Sequence, residues 1–257
     1  MNLFLRTSLI VLAWLIRLRI EYLRILPVNF THMSIDQSVL LLFQLTDSFF
    51  PTGSFAHSFG LETYIQKGII TDQERFESFL RAILHFGIRN CDAIAVTLAH
   101  RSDTIDQIIQ LDQHLSAIKQ PIEMRKGSAQ LGKQFLRNAN KIIERRLAKD
   151  YHRAIQSGKC SGHHSVAYGV VTAGIELSLV LLSYLHSYVV SQVSAAVRLI
   201  PLGATDGQQT IRSLQPDLLK IAELVKGAKM EDLGGFTPAL DIRSMQHEQL
   251  FHRLFIS

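Results

Sequence analysis

An all-α chain is predicted, a single-domain compact bundle of about nine to eleven helices. Three observations predict it. From residue 36 onward apolar residues recur mainly with a period of 3.6, the spacing that places them on one helix face. No run alternates apolar and polar residues as a half-buried strand would. Apolar residues make up 47% of the 257 and charged residues 19%, enough to bury a core with apolar area left over for partner surfaces.

The first predicted helix contains Leu40 to Leu45. It breaks in the stretch "TDSFFPTGSFAHSFGLE" (46–62), where Pro51 and Gly53 interrupt the pattern, and a new helix is entered near Phe55. Phe49, Phe50, Phe55 and Phe59 are expected to anchor this corner in the core, leaving His57 and Glu62 as polar members facing a partner. A broad face then runs from Phe76 through Leu80, Leu84 and Ile88 to Leu98, with "TDQE" (71–74) read as a capping box of Thr71 and Glu74. Residues 103–118 carry the next stripe, Ile105, Ile108, Ile109, Leu115 and Ile118. Asp103 and Asp106 near its start suit the helix dipole. Pro121 opens the following helix. Its Gly127, Ser128, Ala129 and Gly132 imply close approach of another helix, since glycine inside a helix otherwise costs up to about 1 kcal/mol.

Residues 144–164 are largely polar and are read as a fraying helix end followed by a loop. Residues 164–200 are read as the apolar heart, a central helix buried on most faces. Between Glu176 and Arg198 no residue carries a formal charge, so a membrane span is the rival reading, opposed by the many serines of the stretch. "PLGATDGQQ" (201–209) stops that helix. Thr205 with Gln208, or Asp206 with Gln209, is expected to cap the next, and helices near 207–214 and 217–228 follow. The tail 234–257 keeps Phe236, Leu240, Ile242, Met245, Leu250, Leu254 and Phe255 beyond a Gly-Gly break. So many apolar side chains predict packing on the body, on a partner or in a dimer.

The net charge of +5 is concentrated at one end: residues 1–33 contribute +3 and the remainder +2, a balance unsuited to nucleic-acid binding. The first 33 residues form a basic, apolar extension. They are read as dispensable or disordered, or as translation assigned from too early a start, with Met33 as an alternative start. An interfacial amphipathic helix is the competing reading. Cys91 and Cys160 are too few for a disulfide framework, which is compatible with a reducing compartment.

No phosphate-binding loop, dinucleotide fingerprint, zinc-protease helix or calcium loop occurs. Ser54 and His57 lie three residues apart, but neither an oriented base nor an oxyanion site is evident, so no catalytic residue and no cofactor-binding residue is assigned. Cys160, His163 and His164 in "CSGHH" are candidate metal ligands, with at most three donors where a structural site normally needs four. They support the alternative of a transition-metal-binding helical enzyme or metal carrier. Arg198, at the end of the long apolar stretch, can meet helix carbonyls, pair with a carboxylate or sit at an interface.

Four segments in this order resemble the urease accessory protein UreF family: "LLFQLTDSFFPTGSFAHSFGLE" (41–62), "HSVAYG" (164–169), "SQVSAAVRLIPLGATDGQ" (191–208) and "LDIRSMQHEQLFHRLFIS" (240–257). The chain departs from the family pattern at Ser54 (usually glycine), Ser165 (usually proline) and Ser191 (usually asparagine), and residues 1–33 lie outside it. The resemblance implies a cytoplasmic, dimeric, all-helical protein over about residues 34–257 that is not an enzyme. It implies the partners UreD/UreH, the GTPase UreG and apo-urease, with no nucleic acid and no stable membrane insertion. It also implies that nickel is handled by the complex and GTP is bound by UreG, with no cofactor held permanently by this chain. By the same resemblance, His57, Glu62, Arg198, Asp206, Arg243, His247 and Arg253 are candidate partner-interface residues.

Overall fold

The computed structural model describes residues 34–235 and 237–257. The expectations for residues 1–33 and for Phe236 lie outside the described residues. The described chain is all helical, with ten helices and no strand. They are α1 (Ile35–Thr46), α2 (Leu61–Gln66), α3 (Gln73–Arg101), α4 (Ile105–Ile118), α5 (Ile122–Ile142), α6 (Arg146–Gln156), α7 (His164–Thr172), α8 (Leu177–Leu199), α9 (Ala204–Val225) and α10 (Pro238–His247).

The core is organised around α7. Every residue of this short helix except His164 is buried. Two glycines permit its position. A Cβ on Gly169 would fall 2.5 Å from the Val96 carbonyl oxygen, and one on Gly132 would fall 2.1 Å from that of Gly162. The small-residue stripe of α5 therefore does accept a close neighbour, namely the loop leading into α7. The helix expected to run unbroken over 164–200 is two helices. Gly174, at φ +88°, reverses the chain after α7, and the Glu176 carboxylate caps α8 by accepting from the Ser178 and Leu179 amides.

Three further boundaries differ from expectation. Residues 146–156 form a helix because Ala148, Tyr151 and Ala154 make a narrow buried stripe beneath an otherwise charged surface. The helices expected at 207–214 and 217–228 are one, α9, continuous through Pro216. Its buried stripe from Thr210 through Leu214, Leu218 and Ile221 to Val225 spans the proline, so packing overrides the missing N–H. The caps also shift, by one residue at α3 and by two or three at α9. Asp72, not Thr71, accepts from the Arg75 amide at the start of α3, and at the start of α9 the Gly203 amide donates to Asp206.

Residues 84–93 of α3 are wound as a π-helix, a form that re-aims side chains and is uncommon beyond single-turn bulges. Here it turns Cys91 toward the Gly234–Gly235 break, whose Gly234 amide donates to the Asn90 carbonyl. α3 and α8 are long and apolar enough to cross a membrane by length and composition, but 61% and 50% of their most apolar windows are buried inside this fold. Both serve as core helices here.

Candidate docking site at the C-terminal tail

The corner at 46–62 and the tail at 248–257 form one structure. Residues 54–56 make a single 3₁₀ turn, after which Phe59 (φ +50°) and Gly60 (φ +89°) take left-handed conformations that swing the chain into α2. A non-glycine residue in this region costs of order 1 kcal/mol and persists where the surroundings impose it. What imposes it is the tail. The Ser58 and Phe59 amides both donate to the Ser257 carbonyl, at 2.6 and 2.9 Å, and the Ile256 amide donates to the Ala56 carbonyl. The Ser58 hydroxyl also donates to the Ser257 carbonyl, and His57 Nδ1 lies 2.7 Å from the Ser257 hydroxyl. Gly127 of α5 forms the floor: a Cβ there would press on His57, Phe59 and Ser257.

Glu62 is the second anchor. It is only 2% exposed, and its carboxylate accepts from the Leu254 amide (2.7 Å), the Phe255 amide (3.1 Å) and Gln66. His247, at the end of α10, lies between Glu62 (2.9 Å) and Glu123 of α5 (2.7 Å), and Arg253 reaches Glu123 at 2.9 Å. Arg198 fastens the outside. Its guanidinium sits 4.4 Å over the Phe255 ring, within cation–π range, and donates to the Phe55 and Ser194 carbonyls.

His57, Glu62 and His247 were expected to face outward, yet all three are buried. They hold the backbone of a docked segment, a role that buried polar groups fulfil only when hydrogen-bonded as these are. Burial keeps His57 below its ordinary pKa. Asp206 lies elsewhere, as the α9 cap whose carbonyl accepts from Gln73. Arg243 stands near the Tyr64 ring and donates to Gln246. Glu123, Ser58 and Ser257 were missed, because nothing local in the sequence links residues about 60 to 200 positions apart.

The phenylalanine corner also differs from expectation. Phe50 packs against Phe135 in the core, but Phe49 is 93% and Phe55 68% exposed. On the tail, Phe255 is buried, while Phe251 (93%), Leu254 (61%) and Ile256 (58%) are exposed. Phe255 and Ser257 are seated, while Leu254 and Ile256 next to them stay in solvent. Apolar side chains are thus exposed on both segments.

The candidate metal cluster is differently built. The Asp112 carboxylate accepts from the Ser161, Gly162 and His163 amides and from the Tyr151 hydroxyl, fixing the "CSGHH" loop. His163 has both ring nitrogens engaged, by Ser128 and Ser116. His164 is enclosed by Phe135, Tyr168 and Tyr184. Burial pulls both histidines down to a pKa of about 4 and pushes the Cys160 thiol up to about 12, far from the thiolate a metal needs. Among the described residues no group of three or more histidine, cysteine, aspartate or glutamate side chains is placed to hold a metal. The geometry therefore does not support the alternative of a metal carrier built on Cys160, His163 and His164.

A partly open cavity of about 470 Å³ lies at the corner, bordered by Phe49, Phe50, His164, Tyr184 and Tyr188 and by the Lys119–Asp92 ion pair (2.8 Å). Burial alone would lower the Lys119 pKa, but the adjacent Asp92 charge more than offsets it and raises the group above its ordinary range. Burial likewise works against the Asp92 charge, and Lys119 outweighs it.

Fold and site together define an all-helical protein built around a self-docked tail with an apolar outer face. The family model for UreF matches residues 70–215. The chain is 34% identical over 224 residues to the urease accessory protein UreF of Bacillus sp. (strain TB-90), covering 85% of this chain and 99% of that one. It is 36% identical over 227 residues to the UreF of Lachnoclostridium phytofermentans (strain ATCC 700394 / DSM 18823 / ISDg), covering 86% and 100%. With the UreF of Arthrobacter sp. (strain FB24) it shares 33% over 220 residues, covering 85% and 96%. The chain belongs to the UreF family.

Proposed function

We propose that this protein is a urease accessory factor, needed for nickel insertion into apo-urease and acting without catalysis of its own. In this reading it works in the cytoplasm as a homodimer and bridges the UreD/UreH protein and the GTPase UreG. GTP is bound by UreG, and nickel is handled by the assembly. The observation that carries the reading is the tail seat. The chain uses buried Glu62, His247 and His57 to hold one short segment in a fixed pose, and that pose leaves Leu254 and Ile256 in solvent, with Phe251 exposed earlier on the tail and Phe49 and Phe55 exposed on the corner. Preorganising an apolar segment in this way lowers the ordering cost of association, and apolar aromatic anchors are what partner surfaces use. Arg198, which contacts the corner and the tail, Arg253 of the tail and Arg243 of α10 are candidate interface residues. Asp206, at the α9 cap, is a candidate through the helix start that it supports.

The test is urease activation in cells lacking this gene, with the nickel content of the urease measured. We expect apo-urease, restored by the wild-type chain and co-purification of UreD and UreG with it. Fully nickel-loaded urease in the deleted strain would overturn the reading.

A further inference from the structure

The cavity at the corner, about 470 Å³, has the size of small-molecule sites, which run from about 300 to about 1,000 Å³. Much of its wall is aromatic, with Phe49, Phe50 and Phe55 from the corner and Tyr184 and Tyr188 from α8. Four charged side chains also line it: Asp47, Asp92, Lys119 and Asp241. Lys119 is committed to Asp92 at 2.8 Å. Asp47, just after α1, is exposed and accepts from the Phe49 amide. Asp241 of α10 meets the Thr237 hydroxyl at 3.4 Å and forms no ion pair among the described residues. Three carboxylates thus share the wall with one ammonium, and a cleft with an excess of one charge draws the opposite charge in.

The hydrogen-bonding groups agree. His164 and Tyr188 both line the cavity, and neither makes a hydrogen bond among the described residues. His164 meets only the rings of Phe135, Tyr168 and Tyr184. A neutral imidazole keeps one acceptor nitrogen, and a phenol oxygen also accepts. Polar groups inside a protein are ordinarily paired, so these two have capacity to offer a guest. The aromatic faces attract cations as well. Asp92 reaches the wall from the π-wound segment of α3, a winding that occurs frequently at functional sites. Among the described residues no group of three or more metal donors is assembled. The wall therefore suits a cation that brings its own apolar body rather than a bare metal ion.

We propose that this cavity is a binding site for a small organic cation, an ammonium group carried on an apolar body about the size of one aromatic ring. Asp241 supplies the counter-charge, Tyr188 and His164 accept from the ammonium, and the aromatic wall covers the body. The site goes beyond the urease role and needs no partner protein. Its failure leaves that role standing, and failure of that role leaves the site standing.

The test titrates the full-length protein with three probes of one shape and different charge: phenethylamine (cationic), phenethyl alcohol (neutral) and hydrocinnamate (anionic). NMR follows the ring signals of His164 and Tyr188. We expect phenethylamine to bind saturably with a Kd below about 1 mM and to shift both rings. The alcohol should bind about tenfold more weakly, and hydrocinnamate should not bind. Asp241→Asn should weaken the amine by about tenfold and leave the alcohol unchanged, a split that a merely structural role for Asp241 would not produce. If that variant does not fold, the three probes on the wild-type protein still decide. Three results would overturn the proposal: no saturable shift of His164 and Tyr188 with the amine, the alcohol or hydrocinnamate bound as tightly as the amine, or amine affinity unchanged in Asp241→Asn.

Discussion

Gly132 and Gly227 show how differently two glycines can matter. A Cβ on Gly132 would meet backbone atoms of Gly162, His163 and His164, all closer than 3 Å, and backbone cannot rotate away as a side-chain tip can. A Cβ on Gly227 meets nothing within 4 Å. Gly132→Ala should force α5 away from the loop before α7 and cost about 3 kcal/mol or more, in the range of severe core disruption. Gly227→Ala should stay within about 0.5 kcal/mol of wild type. Urea unfolding midpoints check both, and equal midpoints would contradict the crossing geometry. The unusual density of small residues at 127–132 was readable in the sequence. Which backbone approached was not, because the partner loop lies about 30 residues away in a segment read only as a fraying helix end followed by a loop.

Among the elements, α7 carries a pH dependence. His163 and His164 are held neutral by burial, with folded pKa values of about 4. In the unfolded chain an ordinary histidine protonates near 6.5. The unfolded state therefore binds more protons between about 6.5 and about 4, and stability rises with pH across that window. This contribution is fully present above about pH 6.5 and is lost as the medium is acidified toward pH 4. Two such groups give a slope of up to about 2–3 kcal/mol per pH unit. The urea midpoint should fall steeply from pH 6.5 to pH 5, and His164→Phe, which preserves the aromatic enclosure of Phe135, Tyr168 and Tyr184, should reduce that slope by about half. An unchanged slope would mean that His164 is not held neutral. The periodic stripes of α3 and α4 and the Pro121 start of α5 were legible, since each is a local signal of spacing or capping. The boundary inside 164–200 and the continuity of α9 were not. Gly174–Glu176 looks like a minor interruption until the left-handed turn and cap are seen, and Pro216 looks like a stop until its stripe is seen packed on both sides.

The whole molecule exposes large apolar side chains on the corner and the tail, while the tail backbone is fastened from below. Stability and association should therefore separate. Phe251 is 93% exposed, so Phe251→Ser should change the unfolding free energy by less than about 0.5 kcal/mol. In the proposed complex it should nonetheless weaken co-purification of UreD or UreG by about tenfold, the size expected for an aromatic anchor worth more than about 1 kcal/mol. Pull-down at matched expression measures this. Full retention of both partners would remove Phe251 from the interface and point to Phe49 and Phe55 instead.

The helical class, the number of helices and the four family segments were determined by the sequence itself, because periodicity, caps and short motifs are written in neighbouring residues. The tertiary structure alone decided what the polar members of those segments do. His57, Glu62 and His247 lie up to 190 residues apart in the chain and read singly as surface groups available to a partner. Folding brings them together under the tail, where a buried carboxylate and imidazole are tolerable only if paired, and the segment they pair with becomes the surface itself.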